Sequence, residues 1–345
     1  MTRYPPQKSP GTPPDAGLRS PRGHRRRLSG TARYTLIRTA TAMLQAAFVL
    51  VAVFVLTSLL PGDSVDAVLG EQGTPEQQRL ARADLGLDEP AWTRFVHWVS
   101  DLGHADLGHS LVTGLPVTDE IGSRFAATAV LAGAALAVLV PLALALGLLT
   151  GLREGSLADR ALNASTLALH AVPEFVLGLL LTAWLSVGLG LLPATAAGLR
   201  GTEILTEPAV LILPVGVLVA RQLCDLARQI RIGVAAQTGG PVVRHLRLLG
   251  LPERTIVLRH VLPGCLAPSV QQLARCVDGL LGGTVVIESL FAVGGLGTGF
   301  VESVQDRDIP AVQGYALLFA ATALTVNLLA DLTVARLTPQ REERA

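Results

Sequence analysis

Charged residues are scarce in this sequence. Asp, Glu, Lys and Arg make up 16% of the 345 residues, well below the roughly 25% that is usual for soluble domains. Hydrophobic residues reach 50%, and the mean hydropathy is +0.48. This composition argues against a soluble globular domain and indicates a membrane protein. Lysine is almost absent, since Lys8 is the only lysine among 28 basic residues; we attribute this to genome composition rather than to function.

Cysteine is also rare. Cys224, Cys265 and Cys276 are scattered through or beside apolar segments and form neither a CxxC pair nor a Cys/His cluster. This spacing argues against a disulfide framework and against a metal site. We expect the three cysteines to be small packing residues.

Motifs that would make the chain an enzyme are missing. The sequence has no GxxxxGK[ST] phosphate loop, no HExxH and no GxSxG, so the chain cannot bind ATP through a Walker phosphate loop of its own. We expect no catalytic residues, no cofactor and no nucleic-acid partner. His97, His104 and His109 are close in sequence but lack the i, i+4 spacing of helical metal ligands, and we interpret them as surface residues.

Six long or moderately long apolar runs organise the chain, and they predict an all-α polytopic membrane protein with six transmembrane helices. The runs cover residues 39–60, 125–152, 161–192, 209–220, 266–293 and 311–335. The fourth run is short for a membrane span, so its helix must extend into flanking residues. The fifth run is the most polar, and its helix should face protein or water rather than lipid.

The distribution of arginine predicts the orientation of these helices. Arginines cluster near the N-terminus, in the loop after residue 220 and at the C-terminus. The positive-inside rule places these segments, and therefore both termini, in the cytoplasm. We divide the chain into a disordered basic cytoplasmic tail (1–33), a first transmembrane helix (34–60), an extracytoplasmic region (61–124), a membrane core (125–335) containing a cytoplasmic loop (239–263), and a cytoplasmic tail (336–345).

The loop at 239–263, GGPVVRHLRLLGLPERTIVLRHVLP, combines arginines with helical periodicity. Val242, Leu246 and Leu249 recur at spacings of four and three, which predicts one apolar stripe on a short helix over 241–250. Gly250 should end that helix or let the chain turn, and Pro252 follows as a stop signal. A helix of this length is too short to cross a bilayer and needs a partner, such as anionic lipid headgroups or another protein.

The same loop resembles the cytoplasmic coupling loop of ATP-binding-cassette importer permeases, which has a glycine followed by a later Leu-Pro, here Gly250 and 262–263. The dipeptide, oligopeptide and nickel permeases are the most similar. Further segments of this chain resemble that family in order and spacing: LLPGD at 59–63, LGLDEP at 85–90, DLGHS at 106–110, ESLFAVGGLG at 288–297, and Asn327, Asp331 and Pro339.

The chain departs from the family pattern at several positions. Arg244, His245 and Leu246 stand where the coupling loop usually begins with acidic and alanine residues. Gly294 replaces a proline, and the residues at 338 and 340 replace an aspartate and an arginine.

The resemblance implies a permease subunit in the cell membrane that imports peptides or similar small solutes. It also implies a second permease, two cytosolic ATP-binding subunits and an extracytoplasmic solute-binding protein. Closure of the ATPases would move the short helix and switch the bundle between inward-open and outward-open states. The residues expected to couple the permease to the ATPase are Arg244, His245, Leu246, Arg247, Leu249, Gly250 and Leu251, with Leu246 and Leu249 buried in the ATPase.

Three ionisable residues within the apolar runs are candidates for the translocation path: Glu174, Asp278 and Glu288. Glu174 follows Pro173, which can kink its helix and free a carbonyl group. For Asp278 we expect an ion pair with Arg275. For Glu288 an interhelical polar contact remains the alternative.

Two other functions fit the sequence. A secondary carrier driven by an ion gradient would need no ATPase, but it predicts an inverted internal repeat, which we do not find. A membrane scaffold or receptor would use the basic loop to recruit a cytosolic protein without moving any solute. The sequence does not identify the solute.

Overall fold

The computed structural model describes residues 30–59, 74–84, 88–199 and 201–337. These residues are helical almost throughout, and the described part contains no β-strand, only one isolated bridge between His109 and Pro116. The prediction of an all-α chain is therefore confirmed. Most of the tail predicted at 1–33, the LLPGD segment apart from its first residue, half of LGLDEP and the positions 338–345 lie outside the described residues.

The described residues form the following α-helices: α1 Gly30–Ser58, α2 Pro75–Asp84, α3 Ala91–Gly103, α4 Val117–Leu152, α5 Leu157–Ala171, α6 Glu174–Leu181, α7 Ala209–Thr238, α8 Pro241–Leu248, α9 Glu253–Ile256, α10 Leu262–Phe291, α11 Leu296–Gln305 and α12 Ile309–Leu337. Two π-helical segments, Thr182–Gly188 and Val257–Val261, continue α6 and α9, and a short 3₁₀ helix covers Gly201–Thr206.

Four of the described helices are long and apolar enough to cross a membrane: Thr35–Ser58 in α1, Val117–Leu152, Ala209–Thr238 and Ile309–Ala335 in α12. A fifth candidate is the pair formed by α10 and α11, which is bent by 77° at a short break. The chain is therefore a multi-pass membrane protein, as its apolar runs predict.

The helix that contains the fourth apolar run is longer than the run itself. The helix α7 continues through Arg221, Arg228 and Arg231 to Thr238, so the prediction that these arginines lie in a loop is wrong. Two of them remain in the helix because carboxylates on other helices neutralise them: Arg221 lies next to Glu174, and Arg231 pairs with Asp159.

The third apolar run is broken near its middle. Helix α5 ends at Ala171, and α6 begins at Glu174 after Val172 and Pro173. Proline lacks the backbone N–H that would continue the helix and disfavours helical conformation in the residue before it. The break therefore places Glu174 at the N-terminus of α6.

Close contact between α4 and α7 forms the centre of the bundle. Gly147 lies against Ile230, and Gly151, one turn later, lies against Val234. A Cβ atom added at Gly147 would be 2.6 Å from the Cβ of Ile230. Small residues four apart let two membrane helices approach closely, and van der Waals packing then holds them together.

This contact predicts a destabilising mutation. Gly147→Val should destabilise the protein by about 1–3 kcal/mol, because the new side chain overlaps Ile230. Its amount in the membrane should fall, as measured by immunoblotting of membrane fractions. Adding Ile230→Ala should not restore that amount, because alanine keeps the Cβ atom in contact and the Ala227 carbonyl oxygen lies 2.9 Å from the same position. Gly133→Val is a matched control, since nothing lies within 4 Å of a Cβ at that glycine.

The region between α1 and α4 is also held to the bundle. Thr74 and Gln77 form a capping box, with the Thr74 N–H donating to Gln77 Oε1 over 2.9 Å. Phe95 of α3 stacks edge-on against Phe54 of α1, with ring centroids 5.2 Å apart. This contact fixes α3 beside the first helix.

Candidate functional site

The short helix α8 follows α7 directly and has two different faces. Val243 is 2% exposed and belongs to the main hydrophobic core, and Leu246 packs against that core. Val242, Leu248 and Leu249 are all exposed, Leu249 by 62%. The helix is therefore anchored in the bundle on one side and presents an uncovered apolar surface, which we call the free face, on the other.

The predicted stripe of Val242, Leu246 and Leu249 is divided between these faces. Leu246 lies one turn after Val243 and turns with it toward the core, so it does not lie on the free face. Leu248 is exposed as well, but it lies about a third of a turn around the helix from Val242. Periodicity could not predict which apolar residues of α8 face the core. The helix has apolar side chains on both faces, and the sequence does not say which face the bundle covers.

The end of α8 is fixed by Gly250, which has φ +76°. The Gly250 N–H donates to the Arg247 carbonyl over 3.0 Å, and the Leu251 N–H donates to the Leu246 carbonyl over 3.3 Å. This pair of bonds is a Schellman motif, and Leu246 and Leu251, at the positions of its usual hydrophobic contact, both pack against the main core. The helix ends where the sequence predicts.

The left-handed conformation at Gly250 predicts how strongly different substitutions at this position should destabilise the end of the helix. Nothing lies within 4 Å of a Cβ at this position, so a side chain adds strain without overlap. Gly250→Val should destabilise the helix end by about 1–2 kcal/mol, whereas Gly250→Asn should cost less because asparagine tolerates this conformation. ATP-driven uptake should decrease in the order Gly, Asn, Val. Equal uptake by the Asn and Val variants would contradict this role for the backbone.

The remaining coupling candidates surround the helix end. Arg244 and His245 are exposed. Arg247 donates from Nε to Glu253 Oε1 over 2.7 Å and from Nη2 to Oε2 over 3.3 Å, which ties α8 to α9. These hydrogen bonds lower the pKa of the Glu253 carboxyl. The pair therefore stays ionised at neutral pH, and its contribution would be lost only as the pH falls through that lowered pKa. Both side chains are exposed, so the contribution is small.

Glu174 lies at the break between α5 and α6. Its Oε1 is 3.3 Å from the Nε of Arg221 on α7. A Cβ added at Gly283 of α10 would lie 2.8 Å from Glu174 Oε2. Three spans therefore meet at this carboxylate, and Arg221 is a functional candidate that we did not predict from the sequence. The sequence feature that could have pointed to Arg221 is its position directly after an apolar run.

Asp278 binds a different partner from the one predicted. Its Oδ2 accepts a hydrogen bond from Asn327 Nδ2 of α12 over 2.7 Å, and its Oδ1 is buried without a partner among the described residues. Arg275 instead donates from Nε and Nη2 to Gln272 on its own helix. The predicted Arg275–Asp278 ion pair is wrong because Arg275 points outward, where it is exposed.

Glu288 is completely buried at the corner between α10 and α11. Its Oε1 accepts from the Thr128 hydroxyl over 2.6 Å, and its Oε2 accepts from the Gly297 N–H over 2.6 Å and the Thr298 N–H over 3.2 Å. The carboxylate thus caps the N-terminus of α11 and joins it to α4. All these contacts are with the protein itself.

A second polar contact joins α12 to its neighbours. Asp331 accepts from Gln271 of α10 over 2.8 Å and pairs with Arg38 of α1 over 2.9 Å. Together with the Asn327–Asp278 bond, it forms a polar seam between α10 and α12, in which polar side chains of the two helices hydrogen-bond to one another. Pairings of this kind cannot be read from one sequence, because they depend on which helices are neighbours.

Metal ligands do not gather in the described part of the chain, where no group of three His, Cys, Asp or Glu side chains could hold an ion. The three cysteines are buried and unpaired with one another. His97 lies 3.9 Å from Glu89, and His104 contacts the Ser100 carbonyl. The arrangement offers charged contacts within the bundle and a free face on α8.

Comparison with known proteins identifies this class more closely. The chain belongs to the family of binding-protein-dependent transport system inner membrane components, whose model matches residues 143–343. The corresponding N-terminal model matches residues 31–132. The resemblance inferred from the motifs is thus confirmed: the chain is a permease subunit of an ATP-binding-cassette importer and not an enzyme.

Named relatives are similar to the chain over most of their length. The probable D,D-dipeptide transport system permease protein DdpB of Escherichia coli (strain K12) is 34% identical over 312 residues, covering 84% of this chain and 92% of that protein. The glutathione transport system permease protein GsiC of Pectobacterium atrosepticum is 34% identical over 293 residues with the same coverage. GsiC of Escherichia coli O6:H1 is 32% identical over 289 residues, again with that coverage.

Proposed function

We propose that this permease passes peptides or similar small solutes into the cell, and that α8 receives the movement of an ATPase. The observation that carries this proposal is the division of α8 into two faces. Val243 and Leu246 bind it to the core of the bundle, while Val242, Leu248 and Leu249 remain uncovered. A force applied to the free face is transmitted to the bundle because the other face is packed.

Peptide-like solutes are proposed from the names of the relatives, which transport D,D-dipeptides and glutathione. Both kinds of solute carry at least one free amine and one carboxylate. The charged groups inside the bundle could meet such solutes, and Glu174 is the leading candidate to line their path. Asp278 and Glu288 remain candidates, although their observed partners favour a structural role.

We propose that the chain crosses the membrane six times. The crossings are α1, α4, the broken pair α5 and α6, α7, α10 and α12. With an even number, both termini lie on the cytoplasmic side with the arginine-rich segments. Residues 61–124, which include α2 and α3, then form the extracytoplasmic insertion, and the α8 loop lies in the cytoplasm between the fourth and fifth crossings.

The remaining partners are proposed from the family to which the chain belongs. A second permease would complete the path, two ATP-binding subunits would supply the energy, and an extracytoplasmic binding protein would deliver the solute. Binding and hydrolysis of ATP would change the preference of the bundle between outward-open and inward-open states.

Reconstitution tests the proposal. The chain, co-expressed with its partner subunits and placed in proteoliposomes with the binding protein, should accumulate radiolabelled dialanine only when ATP is present on the ATPase side. Uptake by the permeases alone, driven by an ion gradient, would instead identify a secondary carrier. Tight recruitment of a cytosolic protein with no flux of any solute would identify a scaffold.

A further inference from the structure

Glu174 and Arg221 form a charge pair well inside the bundle. Arg221 lies twelve residues after the start of α7 at Ala209, which is about 18 Å along the helix. Glu174 begins α6, which continues as a π-helix to Gly188. Both groups are therefore far from the ends of their spans. The hydrocarbon layer, about 30 Å thick, should surround this level of the protein.

The Glu174–Arg221 pair is held by few contacts. Its shortest contact is the 3.3 Å approach of Arg221 Nε to Glu174 Oε1, and neither side chain makes a hydrogen bond within the described part of the chain. Arg231, three turns further along α7, makes two hydrogen bonds to Asp159. Guanidinium and carboxylate groups normally bind each other through two parallel bonds, so the Glu174–Arg221 pair keeps unused donors and acceptors.

The pair is also accessible. The Arg221 and Glu174 side chains are 40% and 19% exposed, against 16% and 5% for Arg231 and Asp159. Charges exposed at this depth are costly against lipid and are expected to face a water-filled path or another protein. Gly283 of α10 lies against Oε2 of the Glu174 carboxylate, where a larger side chain would displace it.

We propose that Glu174 and Arg221 are the residues that recognise the two charged ends of a zwitterionic solute. The solute's ammonium group would bind the Glu174 carboxylate, and its carboxylate would bind the Arg221 guanidinium in a bidentate pair. In the absence of solute the two residues neutralise each other. This inference rests on the proposed import function and assigns a specificity role to Arg221, a residue that we did not predict from the sequence.

The first experiment asks whether the pair faces water. In the assembled importer, Arg221→Cys should react with a charged, membrane-impermeant methanethiosulfonate reagent, whereas the native cysteines, which are buried, should not. The reaction should slow when dialanine is present at saturating concentration. An inert Arg221→Cys variant would overturn the inference whatever the transported solute is.

The second experiment compares uptake of dialanine, N-acetyl-dialanine and dialanine amide. Wild type should prefer dialanine over both blocked forms. In Glu174→Gln, the ratio of dialanine uptake to N-acetyl-dialanine uptake should fall about tenfold. In Arg221→Gln, the ratio of dialanine uptake to dialanine amide uptake should fall about tenfold. As a control, Arg231→Gln should lower uptake of all three alike, because its partner Asp159 holds helices together.

The outcomes separate the two proposals. Unchanged selectivity in both variants, with uptake intact, would overturn the recognition role and leave the import function standing. If the wild-type complex moved none of the three peptides, the proposed solute class would fail. The thiol reaction at position 221 would then still decide whether the pair lines an aqueous path.

Discussion

Leu249→Asp is expected to lower ATP-driven uptake by about tenfold or more without lowering the amount of permease in the membrane. Leu249 is 62% exposed on α8, so the mutation leaves the permease core intact. In the assembled importer it would place a charge inside an apolar interface. A buried, unpaired carboxylate at the centre of an interface typically costs several kcal/mol of binding. ATP hydrolysis by the complex should become insensitive to solute, measured as phosphate release with and without loaded binding protein.

Two further variants isolate the cause. Val243→Asp, on the other face of α8, should reduce the amount of folded permease, because that side chain is 2% exposed in the core. Leu115→Asp introduces the same charge at an exposed leucine outside α8 and should change neither uptake nor abundance. If Leu249→Asp supported normal coupled uptake, the free face of α8 would not be the surface that the ATPase binds.

Glu288→Ala is expected to lower the stability of the permease more than any other single change considered. The mutation removes the acceptor for the Thr128 hydroxyl and for the Gly297 and Thr298 N–H groups. Each buried donor left without a partner costs about 1–3 kcal/mol. The corner between α10 and α11 should loosen, and the midpoint of thermal unfolding in detergent should fall well below that of wild type.

Glu288→Gln distinguishes a structural cap from a charge needed for transport. The amide oxygen can keep both backbone bonds, and the amide nitrogen can donate to the Thr128 oxygen. Stability should therefore stay close to that of wild type, and uptake with it. A Glu288→Gln variant that folds normally but transports nothing would show that the negative charge itself is required.

Local sequence signals predicted many element boundaries correctly. The glycine at 250 ended α8 because a left-handed residue is needed there. Pro173 marked the break in the third run, because proline has no backbone N–H to donate to the preceding turn of the helix. Such signals act over a few residues and need no knowledge of the neighbouring helices.

Features that depend on neighbouring helices were not predictable. Hydropathy ended the fourth run at Arg221, because only the folded bundle brings Glu174 next to that arginine. The partner of Asp278 is Asn327, 49 residues away, rather than Arg275 within the same turn. The orientation of α8 was also set by tertiary packing, which buried Val243 and turned Leu246 inward.

The central claim is that the free face of α8 lies in the cytoplasm and is covered by the ATP-binding subunit. Leu248 is 81% exposed on that face, and labelling of Leu248→Cys by a membrane-impermeant maleimide tests the claim directly. Inside-out vesicles stripped of the ATP-binding subunits should be labelled, and adding those subunits back should block labelling. Labelling from the outside of intact right-side-out vesicles would contradict the account.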